Sequence, residues 1–266
     1  MKKNVKIIVA THKKYTMPND SMYLPLQVGS SGKESIGYKR DDEGENISSL
    51  NPFFCELTGV YWAWKNIDAD FIGLVHYRRY FSVKPHAKNL WQAVLKQNDI
   101  ELDLEKIKIF VPKKRKYYIE TLYSHYAHTH HIYQLDEVRR ILYDRFPDYI
   151  DSFDRVMNRN WGYMFNMMIM EKDIYNDYCT WLFDILFELK ERLGEHGLTP
   201  FHSRYYGRIS EIIFNVWLEQ NMKVGIFNKE EFKEIPVIHM EKINWKKKSI
   251  AFLNAKFFGK KYEGSF

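Results

Sequence analysis

Residues 71–81 read Phe-Ile-Gly-Leu-Val-His-Tyr-Arg-Arg-Tyr-Phe, an apolar run that changes abruptly into a cluster of potential cations. Short continuous apolar runs of this kind are typical of strands buried on both faces, as in parallel sheets. Ligands of open α/β sheets bind beyond the carboxyl ends of such strands. The stretch therefore predicts a buried strand that presents His76, Arg78 and Arg79 to a ligand.

On either side of this strand the pattern alternates between strands and helices. Residues 5–10 predict a first buried strand, followed by a polar turn at 11–14. Asn51 as N-cap and Pro52 in the first helical position predict a helix whose body is 53–66. Further helices are predicted over 90–97, 135–146, 149–157, 173–193 and 208–220, and further strands over 107–111, 163–170, 224–227 and 236–239. The sequence thus predicts an α/β fold with an open, mainly parallel sheet flanked by helices and a helical C-terminal extension.

The composition indicates a globular protein and leaves its partner open. Of 266 residues, 45% are hydrophobic and 28% charged, so the chain can bury one substantial core and is neither disordered nor fibrous. The net charge of +6 suits any polyanion, whether nucleic acid, anionic lipid or a diphosphate.

The sequence shows neither an apolar run of membrane-spanning length nor a signal-peptide pattern, so we expect a cytoplasmic protein. Cys55 and Cys179 fall in apolar helical patterns, which favours buried thiols over a disulfide or a zinc site.

Several blocks of the sequence resemble a known family over nearly the whole chain. They lie at 10–13, 46–48, 51–52, 56–66, 73–81, 128–130, 164–166 and 208–218, and the block 73–81 is the most specific. The family is that of the capsular and exopolysaccharide biosynthesis glycosyltransferases, whose domain was long labelled only as one of unknown function. The resemblance implies a GT-A-like fold that binds a nucleotide sugar. It further implies transfer of a hexose, galactose or galactofuranose, from a UDP-sugar to a polyprenyl-linked oligosaccharide.

Such a reaction needs positive charge for the departing diphosphate and, if it inverts the anomeric centre, a base for the acceptor hydroxyl. His76, Arg78 and Arg79 are the candidates for the diphosphate, because guanidinium groups grip phosphate oxygens without a metal. The alternative is that these residues pair with the acidic loop at Asp41 and Asp42. Glu211 resembles by position the acidic residue of inverting GT-A enzymes.

Each candidate base also has an ordinary structural interpretation. Glu211 could form a salt bridge with Arg208, one helical turn earlier. Asp136 is the second candidate base and an acceptor ligand, or simply a helix cap.

The donor is expected to contact two parts of the chain. Thr11, His12 and Lys13 follow the first strand and are predicted to bind the base or ribose. Tyr61 and Lys65 share one helical face and are predicted to reach the donor, although Tyr61 could be core and Lys65 could cap the helix end.

Histidines at 125–131 raise the question of a metal. His128 and His130 are predicted to share one strand face and to bind the acceptor or phosphate, with a metal site as the alternative. Asp68-Ala-Asp70 has the spelling of a metal-binding motif, but it precedes the strand at 71–75 and is interpreted as a turn. We therefore expect no required cofactor, with Mn²⁺ or Mg²⁺ as the less favoured alternative.

The chain divides into a catalytic domain at 1–240 and a basic, aromatic tail at 241–266. The tail suits either an interfacial helix on an anionic membrane or a helix docked on the core. The competing function is a noncatalytic nucleotide- or RNA-binding module that uses the same basic cleft. Nucleic acid is not favoured, because the strand-end cluster is compact. A phosphotransferase or nucleotidase is weakened because the sequence shows no P-loop or clustered metal carboxylates.

Overall fold

The structure, a computed structural model, describes residues 2–241. The predicted tail therefore lies outside the described residues, except for Glu241. The division into two domains stays a prediction.

The described residues form eleven strands and nine α-helices. The strands are β1 (Val5–Thr11), β2 (Tyr23–Gln27), β3 (Lys39–Arg40), β4 (Phe71–His76), β5 (Arg79–Phe81), β6 (Ile109–Pro112), β7 (Arg115–Lys116), β8 (Trp161–Gly162), β9 (Met168–Glu171), β10 (Phe232–Ile235) and β11 (Val237–His239). The helices are α1 (Asn51–Phe54), α2 (Leu57–Asn66), α3 (Leu90–Ala93), α4 (Gln97–Ile100), α5 (Leu122–Thr129), α6 (Tyr133–Arg145), α7 (Ile150–Met157), α8 (Lys172–Leu193) and α9 (Tyr205–Lys223).

Within residues 2–241 nine strands form one mixed sheet, and β7 pairs with β8 separately. The main path runs β10-β6-β9-β4-β1-β2-β3, with β5 joined to β4 and β11 joined to β5. Along this path β9 is antiparallel to both neighbours, and the remaining pairs are parallel. The predicted open, mainly parallel sheet flanked by helices is therefore confirmed.

The central strands are buried on both faces, as their apolar runs predict. In β1, Ile8 belongs to the core beneath α2, α8 and α9, whereas Ile7 and Val9 belong to a second core on the other face. In β4, Leu74 and Val75 divide between the same two cores. Such a strand leaves no side chain for solvent except at its ends, so its polar chemistry is concentrated there.

The helix predicted over 53–66 is broken in two. Cys55 has φ 55°, a value that side chains other than glycine rarely adopt, and it separates α1 from α2. Asn51 stabilises the break, because its Nδ2 donates to the Cys55 carbonyl at 2.7 Å and to Thr58 Oγ1 at 3.2 Å. The predicted N-cap role of Asn51 is therefore wrong, and Glu56 follows the break directly.

Two predicted strands also differ. The segment 163–170 becomes a strand only from Met168, because Phe165 and Asn166 take φ values of 83° and 51°. Residues 224–227 form a turn around Gly225, which has φ 81°, and the strand comes later, as β10.

Candidate active site

The chain places its polar side chains at one edge of the sheet. The parallel strands β1, β2, β4 and β6 all end there, and the loop before the antiparallel β9 arrives at the same edge. We call these strand ends and this loop the ligand edge. The starts of α2 and α9 join them, since Asn166 Nδ2 donates both to Glu56 Oε1 at 2.7 Å and to the Gly207 carbonyl at 3.0 Å.

Glu211 and Glu56 both lie at this edge, and we call them the carboxylate pair. Burial raises the pKa of Glu211 to about 7, and the negative charge of Glu56 adds to the effect. The charges of Arg79 and Arg115 and a hydrogen bond from the Phe165 backbone oppose it only in part. A carboxyl group with this pKa can take up or release a proton near neutral pH.

The positive charge of Arg79 acts on both carboxylates. Burial lowers the pKa of its guanidinium, while Glu211 and Glu56 act in the opposite direction. The guanidinium carbon lies 4.1 Å from the centre of the Phe165 ring. Arg79 is therefore partly buried against the Phe165 ring, and its charge favours the ionised form of the carboxylates.

His76 fixes the loop that carries Phe165. Its Nε2 lies 2.6 Å from the Phe165 carbonyl oxygen. Burial lowers the pKa of His76, so the neutral imidazole can donate its Nε2–H to this carbonyl. The positive φ values of Phe165 and Asn166 are thus maintained by contacts to the strand end and, through Asn166, to Glu56.

A group of cations surrounds His12. Desolvation lowers the pKa of His12, and the positive charges of Arg78, Lys13, Arg204 and Lys33 lower it further. Arg78 is exposed and pairs with Glu241 at 3.0 Å. Because the positive charges of four cations act on this position, it favours an anion.

The three predicted donor residues at the end of β1 lie at this cationic group. Thr11 is buried and donates from Oγ1 to the Lys13 carbonyl at 2.6 Å, which shapes the turn. Lys13 Nζ lies 5.3 Å from the centre of the Tyr77 ring, and the His12 ring packs edge-on against the same tyrosine. The structure brings Thr11, His12 and Lys13 together with Arg78.

Tyr61 and Lys65 lie elsewhere on α2. The Tyr61 hydroxyl donates to Glu45 at 3.1 Å, and Lys65 pairs with the same carboxylate at 3.3 Å. Lys65 is about 13 Å along the helix from Glu56, given the helical rise. The structure does not bring them to the cationic group, and their donor role stays a prediction.

The predicted acceptor residues do not share a strand face, because His128 lies in α5 and His130 caps its C-terminus. That structural prediction is wrong: the segment forms a helix capped by Thr121, in which residues two apart point in different directions. His128 Nδ1 lies 2.6 Å from buried Glu120, which also contacts His125 at 2.8 Å.

Of these residues, His130 contacts α9, the helix that carries Glu211. It lies 3.5 Å from Arg208 Nη1, one turn before Glu211, and burial lowers its pKa to about 2. Asp136 accepts a hydrogen bond from the Tyr123 hydroxyl at 2.9 Å. Their acceptor roles stay predictions.

The structure rejects two ordinary interpretations of the site residues. The acidic loop does not pair with Arg78 or Arg79, because Asp41 is buried and accepts hydrogen bonds from Gly29, Ser30 and Thr58, whereas Asp42 pairs with Arg40. Within residues 2–241 Arg208 forms no salt bridge with Glu211, and it lies against the Phe201 ring instead.

Asp68-Ala-Asp70 lies in the loop that connects α2 to β4. It lies at the amino end of β4, where Asp70 accepts from the Asn4 backbone at 2.7 Å and Asp68 pairs with Lys172 at 2.6 Å. These carboxylates lie at the edge opposite the candidate site and do not fit a metal there. No group of three His, Cys, Asp or Glu side chains between residues 2 and 241 is placed to hold a metal ion.

Sequence patterns missed four residues that complete the site: Glu56, Arg115, Lys33 and Arg204. Arg204 was detectable, because it stands with Arg208 on either side of an apolar helix start, one to two turns before Glu211. Glu56 reads locally as a residue on the surface of a long helix, and only the break at Cys55 gives it its position.

None of the helices in the described part of the chain is both long and apolar enough to cross a membrane.

Comparison with known proteins places this arrangement in a family. Residues 6–222 match the model of the family described as "Domain of unknown function (DUF4422)". No curated protein matches the chain. The apo structure of WbbM, a bifunctional glycosyltransferase, superposes with a TM-score of 0.83 at 30% identity, covering 90% of this chain and 46% of WbbM. The chain thus spans about half the length of that protein and has the predicted GT-A-like fold. Because the family model includes Glu56, Arg79, Asn166 and Glu211, the site is part of the matched region, and the chain belongs to the DUF4422 family.

Proposed function

We propose that the chain is a glycosyltransferase that moves a hexose from a nucleoside-diphosphate sugar to a hydroxyl group. The likeness to WbbM, which is a bifunctional glycosyltransferase, supports this class of reaction. The observation that carries the proposal is a carboxyl group of pKa about 7, Glu211, lying at the same sheet edge as the cations around His12. A site that only bound polyanions would gain nothing from two partly buried carboxylates.

Glu211 acts as the general base. The acceptor hydroxyl gives its proton to the Glu211 carboxylate as its oxygen attacks the anomeric carbon. The bond between that carbon and the diphosphate oxygen breaks, and the pair of electrons leaves with the nucleotide. Arg79 stabilises the charged form of the base, since its positive charge acts on Glu211.

The departing diphosphate is neutralised by side chains. Arg78, Lys13, Lys33 and Arg204 surround the position of His12, and guanidinium groups bind phosphate oxygens bidentately. We propose that these cations take the role that a divalent ion has in other enzymes of this reaction class, so no metal is required. His76 acts through Phe165 as a positioning residue.

The resemblance of the sequence supports the finer proposals. The donor is UDP-linked galactose in either ring form, and the acceptor is a polyprenyl-linked oligosaccharide of capsule or exopolysaccharide synthesis. The reaction then takes place in the cytoplasm, at the membrane surface.

A panel of nucleotide sugars tests this function, with thermal shift and product formation measured in manganese and in chelator. We expect one UDP-sugar to raise the melting temperature in both conditions. Arg78→Ala should reduce turnover about 100-fold or more without changing the melting temperature, as expected for a group that stabilises leaving-group charge. The matched control is Arg139→Ala, which removes an arginine paired with Asp154 in the helical layer. Full turnover by Arg78→Ala, or salt-dependent RNA binding without turnover, would overturn the proposal.

A further inference from the structure

A short loop beside the site exposes two large apolar side chains. Tyr118 and Ile119 are 80% and 62% exposed, whereas Tyr117 and Glu120 on either side are buried at 9% and 4%. We call Tyr118 and Ile119 the tip. Since burying these side chains would stabilise the chain, their exposure needs a reason.

The fold holds the tip in this position. The Tyr117 N–H donates to the Asn160 carbonyl and the Leu122 N–H to the Arg159 carbonyl, both at 2.7 Å. Between these anchors the Ile119 N–H donates to the Tyr117 carbonyl, and Tyr118 takes φ 57°, which aromatic residues rarely adopt. The tip is therefore presented by its own backbone hydrogen bonds and not by a loose loop.

The tip is flanked by positive charge. Lys113, Lys114 and Lys116 are exposed and precede it directly. Glu234 pairs with Lys114 at 3.4 Å, which leaves the loop positive overall. Lysines with an exposed tyrosine and an aliphatic residue are the combination that binds the headgroup region of an anionic bilayer. Two apolar side chains are too few for the core of a stable protein interface.

The same loop lies close to α9, the helix of Glu211, because Arg115 pairs with Gly162 and the next residue, Tyr163, exchanges hydrogen bonds with Asn215, one turn after Glu211. Arg115 lies over the Tyr117 ring at 5.0 Å, and its positive charge opposes the rise in the pKa of Glu211. A surface that the tip contacts would therefore lie beside the base. An acceptor carried by a membrane lipid would arrive from that surface.

We propose that the tip docks on an anionic membrane surface and turns Glu211 toward lipid-borne acceptors. The choice of acceptor rests on the proposed function, whereas membrane contact by the tip can be measured without any turnover.

The test places a polarity-sensitive fluorophore on Ile119→Cys in the full chain. The natural thiols do not interfere, because Cys55 and Cys179 are buried. With vesicles of phosphatidylglycerol and phosphatidylcholine the emission should shift to the blue, and with phosphatidylcholine alone it should not. The matched control is Leu102→Cys, a 91% exposed apolar position near the amino ends of β6 and β10, which should show no shift.

Variants without a label give a second measurement. Lys113→Gln with Lys116→Gln should reduce the partition coefficient on anionic vesicles by on the order of tenfold, as expected for losing charges near an anionic surface. Tyr118→Ser with Ile119→Ser should also weaken binding, while hydrolysis of the sugar nucleotide in vesicle-free buffer stays unchanged.

Three results would overturn the proposal. They are vesicle binding without a blue shift at position 119, no vesicle binding at all, and a blue shift caused by a soluble oligosaccharide acceptor but not by vesicles. The first result would mean that another surface of the protein binds the membrane. The third would mean that the tip stacks on a sugar. A failure of the proposed function gives a different result. In that case no sugar-nucleotide turnover is measured, while the fluorescence response to vesicles is unchanged.

Discussion

Glu56 directly precedes α2 and Glu211 belongs to α9, and the positive charge of Arg79 acts on both. Asn166 donates a hydrogen bond of 2.7 Å to Glu56, which fixes the position of the Glu56 carboxylate. Burial alone would raise the pKa of Glu211, and Glu56 increases the rise. Glu56 thus acts through Glu211, as a residue that adjusts the base to neutral pH.

Glu56→Gln should move the acidic limb of the pH–rate profile to lower pH, by up to about one unit. The amide keeps an oxygen for Asn166 but removes the charge that raises the pKa of Glu211. The profile of kcat/KM between pH 5 and 9 measures this limb. Glu45→Gln, at the other end of α2, is the control. An unchanged limb would show that the charge of Glu56 does not act on the base.

Glu211→Gln should abolish transfer and stabilise the protein at alkaline pH. The pKa of Glu211 is higher in the folded state, about 7, than the ordinary 4.5, so its contribution to stability is complete below pH 4.5 and is lost as the pH rises through 7. At pH 8 the variant avoids a buried charge and should gain on the order of 1–3 kcal/mol relative to wild type, but little at pH 5.

The control for this prediction lies on the same helix. Burial would raise the pKa of Glu219, but hydrogen bonds from Arg159 and Arg155 lower it overall. Glu219→Gln should therefore lose stability above pH 4.5. Melting temperatures of both variants at pH 5 and 8 test this prediction. Changes of equal size and the same sign in the two variants would contradict it.

At the scale of elements, the loop between β8 and β9 connects the parts of the site. The Phe165 carbonyl accepts a hydrogen bond from His76, and the Phe165 ring packs against the Arg79 guanidinium. Asn166 donates hydrogen bonds to Glu56 and to the start of α9. Both residues adopt positive φ, a backbone conformation that these neighbours maintain. The loop thus fixes the distance between the strand end and the carboxylates.

Asn166→Gly and Asn166→Ala separate the two roles of this residue. Both remove the amide that holds Glu56, so both should lower kcat on the order of 10- to 100-fold through misplacement of the carboxylates. Glycine accepts the positive φ without strain, so it should be more stable than alanine by roughly 1 kcal/mol. Chemical denaturation and kcat of the pair measure this, and a fully active Asn166→Gly would refute the positioning role.

Helices and strands with a clear periodicity were predictable, whereas the breaks and connections between them were not. The strands around Val9 and Val75 and the long helix ending at Leu193 follow from continuous apolar or helical periodicity. The break at Cys55 was not predictable, because it depends on the hydrogen bonds that the side-chain amide of Asn51 donates to Cys55 and Thr58. Among site residues, Arg78 and Glu211 lie next to readable strand and helix patterns, but the partner of Glu56 lies 110 residues away.

The whole molecule relies on charge as well as apolar packing between its outer helices. Arg192 of α8 pairs with Glu188 at 2.7 Å, Asp144 at 2.9 Å and Glu137 at 3.2 Å, and the last two belong to α6. A guanidinium with several partners keeps its geometry at little further entropic cost, so such a network stabilises more than an isolated pair.

Arg192→Ala should lower the free energy of unfolding by about 1–2 kcal/mol, and the loss should shrink in 1 M salt, whose Debye length is about 3 Å. Turnover per folded molecule should stay normal. Lys106→Ala, which breaks one fully exposed pair with Glu230, is the control and should have almost no effect. Denaturant titrations at low and high salt test this, and equal losses in the two variants would contradict the network.

The antiparallel β9 has a consequence for synthesis on the ribosome. β4 ends at His76, but the neighbour on its other side, β9, starts at Met168. At about 5–20 residues per second, several seconds pass between the synthesis of β4 and that of β9. During this time the apolar edge of β4 is exposed to other chains. Translation that stops before β9 should therefore yield aggregates and not a smaller soluble fragment, and co-expressed chaperones that cover nascent strands should raise the yield of the full chain.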